Sequence, residues 1–183
     1  LADSSGLTFK NYIATRADSI DNLLCLFPLD NTVNSDDNTI IANENVNIDF
    51  GQSQFGQGAL IMDTSRLSWN VDIKQEFSML MTIAKTKEYN YNTVFITLKS
   101  DTNNLQFGYD NYGGYFYLRD TNDIENRVYL SVSANDYLRL CIIQRADTRT
   151  IMLMSTSTGK CETNTINASP IGEIKNIYCY NKR

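Results

Sequence analysis

At 183 residues, with 42% hydrophobic and 20% charged side chains, the chain suits one domain with a sizeable core. Its formal charge of -5 comes without any Lys/Arg cluster, which argues against nucleic acid or an anionic membrane as partner, since each needs a basic face. The absence of histidine removes the Ser-His-Asp triad, the Cys-His nucleophile and His-ligated zinc, leaving carboxylates, Tyr, Lys and four cysteines for any chemistry.

Residues 1–21 read as an N-terminal arm or linker. Phe9, Tyr12, Ile13, Arg16 and Ile20 fall near a helical period. The opening LADSSGLTFK has no basic region followed by an apolar run, so no signal peptide is visible there. No stretch approaches the roughly 18 apolar residues of a membrane span. From residue 22 to 183 the pattern becomes a series of short apolar runs separated by turn residues, which predicts an all-β fold.

Leu23–Asp30 (LLCLFPLD) is the first expected strand, either at a sheet edge or with its ladder interrupted at Pro28, which cannot donate. Ile40-Ile41 and Val46–Phe50 give two short strands. The stretch Gln54–Trp69 then reads as a glycine-bearing turn, a strand over Ala59–Met62, a polar corner at Asp63-Thr64-Ser65 and a new strand from Arg66. Gly56 and Gly58 suit a left-handed residue or a close strand crossing. The sole tryptophan, Trp69, lies in an apolar context and reads as core.

Phe77–Ile83 is nearly continuous in apolar residues, the pattern of a strand buried on both sides. Val94–Leu98, Leu105–Tyr109 and Tyr115–Arg119 follow, the last two joined by the turn Asp110–Gly114. Val128–Val132, Tyr137–Gln144 and Thr150–Met154 continue the series, with 146–149 as a hairpin turn; Cys161–Ile166 and Ile174–Tyr180 close it. More than ten such strands indicate an antiparallel sandwich or barrel. Cys25, Cys141, Cys161 and Cys179 lack the spacing of a zinc or redox motif. They read as free thiols, with a Cys25–Cys179 bridge as the alternative.

Three local patterns carry a resemblance: LLCLFPLDN (23–31), FGQGALIMDTSRLSW (55–69) and GEIKNIYCYNKR (172–183). In their order, with DYLRLCIIQRADTRTIMLMSTSTGK (136–160) between the last two, they resemble the laminin-G-like, concanavalin-A-like jelly rolls. The resemblance implies an antiparallel β-sandwich of two facing sheets over residues 22–183. It implies no single activity, because this fold class hosts lectins, adhesion modules, enzymes and spacers. Family members often hold calcium, with an acid in the closing strand. Here Lys175 and Asn176 occupy those positions, and a lysine would repel a dication. Asp30, Asp36, Asp37 and Asp63 are turn-forming carboxylates that need no metal. No cofactor is therefore expected, and calcium stays an alternative without an assigned ligand set.

A glycan-cleaving member would need two carboxylates flanking the scissile bond, about 5 to 5.5 Å apart for retention. The nearest set, Asp120, Asp123 and Glu125, reads as one solvated polar loop, so no catalytic residue is assigned. The tyrosines are more informative. Tyr115 and Tyr117 share one strand face and Phe116 and Leu118 the other, so a Phe/Leu core would present the tyrosines outward. Sugar rings stack on aromatic faces while neighbouring amides and carboxylates bind hydroxyls. Tyr109, Asp110, Asn111, Tyr112, Tyr115 and Tyr117 are therefore the candidate glycan-binding residues; the plainer alternative is a tyrosine-covered sheet surface. Together these features point to a non-catalytic binding module, with glycan or cell-surface polysaccharide as partner, in a surface or virion appendage such as a phage tail fibre. Its expected location is extracellular, cell-surface or virion. A structural or adhesion module packed against neighbouring subunits is the main alternative, and a glycoside hydrolase the more remote one.

Overall fold

A computed structural model describes residues 29, 32–35, 39–53, 56–61, 64–84, 92–133 and 136–182. The expected arm at 1–21, the strand at Leu23–Asp30 apart from Leu29, Cys25, and the loop acids Asp30, Asp36, Asp37 and Asp63 lie outside the described residues. Among those described there are thirteen strands and no helix. The chain divides into two compact units, residues 1–70 and 71–183.

In the first unit, β1 (Ala42–Val46) pairs antiparallel with the opening half of β4 (Arg66–Ile73), in a register running from Ala42↔Trp69 to Val46↔Arg66. Asn47 turns the chain out of β1 with a left-handed φ of 52°, a conformation asparagine tolerates, and Ser65 Oγ donates to its carbonyl at 2.6 Å. β2 (Asp49–Ser53) and β3 (Gly56–Leu60) form a hairpin that sets Gly58 opposite Gly51. The strand expected at Ala59–Met62 thus begins three residues earlier, and the one expected at Val46–Phe50 is divided at Asn47. Trp69 is core, as expected. It is buried, and its indole Nε1 donates to the Val33 carbonyl at 2.5 Å.

The second unit is an antiparallel sandwich of the jelly-roll, concanavalin-A-like class. One sheet runs from the tail of β4 through β13 (Ile174–Lys182), β6 (Thr93–Lys99), β7 (Asn104–Asp110) and β8 (Tyr115–Asp120) to β9 (Glu125–Val128). The other runs β12 (Cys161–Asn167), β11 (Thr148–Ser155), β10 (Tyr137–Gln144), β5 (Phe77–Ala84). Alternate residues supply the core between them. Ile96, Leu98, Leu105, Phe107, Phe116 and Leu118 come from the first sheet, and Leu138, Leu140, Ile142, Ile151 and Leu153 from the second. The rings of Phe107 and Phe116 stack 6.0 Å apart.

Three sequence expectations change here. β5 is not buried on both faces: among the described residues it pairs only with β10, at the end of its sheet, and Leu80 is 75% exposed. An apolar run marks what a strand can bury, not how many neighbours it acquires. The strand expected at Val128–Val132 is instead β9, Glu125–Val128. Arg149, assigned to the 146–149 turn, belongs to β11 and is fully buried; the turn closes one residue sooner, where Arg145 N–H donates to the Thr148 carbonyl at 2.9 Å.

Cys141, Cys161 and Cys179 are free, and Cys25, the other half of the alternative bridge, is outside the described residues. Burial pushes the Cys179 thiol up to about 12. Since the thiolate is the nucleophile, Cys179 will resist alkylation at pH 8 while exposed Cys161 reacts readily. Mass spectrometry of peptides from native and denatured protein will check this, and rapid native labelling of Cys179 would contradict the packing.

Candidate functional site

The turn Asp110–Gly114 joins β7 to β8 at one end of the larger sheet. The Asp110 carboxylate organises it by accepting from Gly113 N–H at 2.8 Å, while its carbonyl accepts from Gly114 N–H at 2.9 Å. Gly114 supplies the positive φ of 66° that closes the turn. Asn111 N–H donates to Asn92 Oδ1 at 2.9 Å. Asn111 and Tyr112 are consequently held at the tip, where Tyr112 is 93% exposed.

Tyr115 and Tyr117 occupy the face away from the core, as their alternation with Phe116 and Leu118 predicts. Their expected exposure fails, for only 7% and 6% of each is accessible. Two features cover them. Glycines form the floor: a Cβ on Gly113 would lie 2.1 Å from Cε1 of Tyr115, and one on Gly108 would lie 2.5 Å from Cζ of Tyr117. Charged side chains of β8 and β9 form the lid. The guanidinium of Arg127 lies 4.6 Å from the Tyr115 ring centre, and that of Arg119 lies 4.7 Å from the Tyr117 ring centre. Both arginines bond the Glu125 carboxylate, whose side chain is only 7% exposed. Tyr115 Oη also donates to Asp110 Oδ2 at 3.4 Å. Burial first, and then the negative charges of Glu125 and Asp110, raise the Tyr115 phenol above its usual range.

Tyr109 lies at the inner margin, its ring 4.8 Å from that of Phe116. These two, with Gly114, Tyr129, Leu130, Ser131 and Val132, line an open cleft of about 430 Å3 next to the turn. Tyr129 is 62% exposed, and its ring sits 5.5 Å from Tyr115. The structure therefore gathers Tyr109, Asp110, Asn111, Tyr112 and Tyr115 about one turn, and sets Tyr117 one alternate step along β8, under Arg119. Sequence reasoning missed Arg119, Glu125, Arg127 and Tyr129. The last three alternate at 125, 127 and 129, a period-2 signal hidden by reading 119–126 as a loop.

The acids once grouped as a loop have separate surroundings. Asp120 is buried against Arg149, Asp123 takes a left-handed φ of 60° in the turn, and Glu125 joins the arginine ladder. Among the described residues no group of three His, Cys, Asp or Glu side chains is placed to hold a metal. At the closing-strand position where the resemblance implies a calcium ligand, Lys175 Nζ contacts Asp72 at 2.7 Å and Glu173 at 2.9 Å. An ammonium already neutralising those carboxylates does not fit a calcium site.

No protein-family model matches the chain, and no curated protein matches it. Among solved structures it is similar to domain 4 of AbnA, an extracellular GH43 arabinanase of Geobacillus stearothermophilus in complex with arabinotriose. That match has 13% identity and a TM-score of 0.56, and covers 87% of this chain and 93% of that one. A second match is the enzymatically active domain of tailspike protein 2 of bacteriophage CBA120, at 12% identity and a TM-score of 0.56, covering 77% of this chain and 25% of that one. A third is scytalido-glutamic peptidase, at 12% identity and a TM-score of 0.42, over 59% of each chain. The chain thus spans a quarter of the tailspike domain and under two thirds of the peptidase. At such identities the likeness concerns the fold.

Proposed function

We propose that this chain is a non-catalytic carbohydrate-binding module of laminin-G-like type, carried on an extracellular, cell-surface or virion appendage. The observation that carries the reading is the cleft bordered by Gly114 of the Asp110–Gly114 turn: the exposed ring of Tyr129 lines it, and Tyr112 and Asn111 stand exposed at the tip of that turn. Exposed aromatic faces beside hydrogen-bonding groups suit the apolar faces and equatorial hydroxyls of a sugar. The bound arabinotriose of the similar arabinanase domain and the phage origin of the similar tailspike are consistent with this reading. Binding is proposed to need no metal, in keeping with the ion pairs of Lys175.

The test is a glycan array on the 183-residue chain, with and without calcium. Tyr112→Ala and Tyr129→Ala each remove an exposed ring and are expected to weaken a hit by up to about ten-fold, at the scale of about 0.5 to 1.5 kcal/mol per stacked ring. Thermal stability should change little, because neither ring is buried. A blank array would transfer the reading to the structural alternative. That alternative has its own support on the outer face of the smaller sheet, where Leu80, Cys141 and Met152 form a register row with Leu80 and Met152 exposed.

A further inference from the structure

We propose that Arg127 and Tyr129 form a subsite for an acidic sugar, the tyrosine stacking on the ring and the arginine pairing with its carboxylate. This rests on the carbohydrate-binding reading of the same site and names its ligand class. Both side chains are anchored on Tyr115: the Arg127 guanidinium lies 4.6 Å from its ring centre, and the Tyr129 ring lies 5.5 Å away. Neither is buried by that anchoring, since Arg127 keeps half of its side chain exposed and Tyr129 is 62% exposed. A flat ring and a planar cation are thus presented side by side on one support.

The hydrogen-bond inventory favours an anion. Arg119 and Arg127 together carry about ten N–H donors, whereas the single carboxylate they share, Glu125, offers about four acceptor positions. The other nearby carboxylate, Asp110, directs Oδ1 to Gly113 N–H and Oδ2 to the Tyr115 hydroxyl. Acceptors at this site are therefore committed to holding it together, and donors are in surplus at the half-exposed guanidinium. A donor surplus selects an acceptor-rich ligand, and the guanidinium fork matches the two oxygens of a carboxylate. Glu125 orients that fork through Arg127 Nε and the Tyr129 side chain takes a further hydrogen bond from it, which ties ring and cation together and leaves the remaining terminal N–H groups as the donors a ligand can meet.

The experiment is calorimetric titration of the full chain with oligogalacturonate and with the same oligomer fully methyl-esterified, which keeps the sugar and removes the charge. Wild-type protein is expected to bind the free acid about ten-fold more tightly than the ester, the scale of one charge-assisted hydrogen-bonded pair. Arg127→Gln should bring acid and ester to the same affinity, Arg127→Lys should keep part of the preference, and Tyr129→Ala should weaken acid and ester alike. Equal affinity for acid and ester, or a preference that survives Arg127→Gln, would overturn the acidic-sugar subsite. In that event binding of the ester, or of neutral array hits, would still uphold the carbohydrate reading. If no saccharide of either kind binds, the carbohydrate reading falls as well.

Discussion

Arg149→Met is expected to destabilise this protein by about 3 to 5 kcal/mol, the cost of leaving a buried charge without its partner. Arg149 is fully buried between the sheets. Its Nη1 donates to Asp120 Oδ2 at 3.0 Å, its Nε to Gln144 Oε1 at 2.9 Å, and its Nη2 to the Ser169 carbonyl at 3.1 Å. Asp120 cannot turn to solvent once the guanidinium is gone, because its Oδ1 is tied to the N–H groups of Asn122 and Ile124 at 2.9 and 3.1 Å. Gln144 is equally fixed, with Nε2 donating to the Arg145, Thr148 and Ala168 carbonyls, so its Oε1 would also be stranded. Urea denaturation will read the loss directly. For a chain of this length, roughly 2 to 4 °C per kcal/mol converts it into a Tm lowered by about 6 to 20 °C. The double variant Arg149→Met with Asp120→Asn should recover part of it, since the amide removes the stranded charge while keeping an acceptor for the Asn122 and Ile124 N–H groups. A single variant that loses less than about 1 kcal/mol would show that the pair is not desolvated as described.

Phe107→Ala should cost a comparable amount, about 3 to 5 kcal/mol, through a different mechanism. Phe107 has no accessible surface and lies between Phe116, stacked at 6.0 Å, and Phe95, at 5.6 Å. Truncation removes contacts from both rings and leaves a cavity that two paired β-strands cannot collapse to fill. Phe116 lines the candidate cleft, so its relaxation toward the void is expected to weaken saccharide binding as well as stability. Leu80→Ala provides the contrast: an equally apolar side chain, 75% exposed, whose loss should stay within about 0.5 kcal/mol. A chemical denaturation series over the two variants separates burial from mere hydrophobicity. Equal losses at the two positions would refute the assignment of inner and outer faces.

Alternation at 115–118 assigned the right residues to the right faces of β8, and the 110–114 turn was legible from its Asp, Asn and Gly residues. The bounds of β10 could be read outright from its apolar run, because a period of two is a local property. Three features resisted, each for a physical reason. The covering of Tyr115 and Tyr117 depends on Arg119, Glu125 and Arg127, and the last two reach them from β9 through strand pairing. The loop reading of Arg119–Asn126 failed because charged side chains look solvated when no partner is known. Glu125 had two arginines, and Asp120 had Arg149, 29 positions away. The double burial expected of β5 failed because its apolar run reports transfer preference alone, while its place at the end of a sheet follows from strand order.

By itself, then, the amino-acid order determined that this chain would be built of antiparallel strands, which side chains share a face, where the 110–114 turn falls, and that histidine chemistry is absent. Those are consequences of dihedral preference and side-chain alternation, which act between near neighbours. The tertiary structure alone decided which face is covered, which charges meet in the interior, and which rings remain exposed beside a cleft. These depend on residues brought together across strands, where desolvation and pairing set the energy, and no periodicity along the chain encodes them.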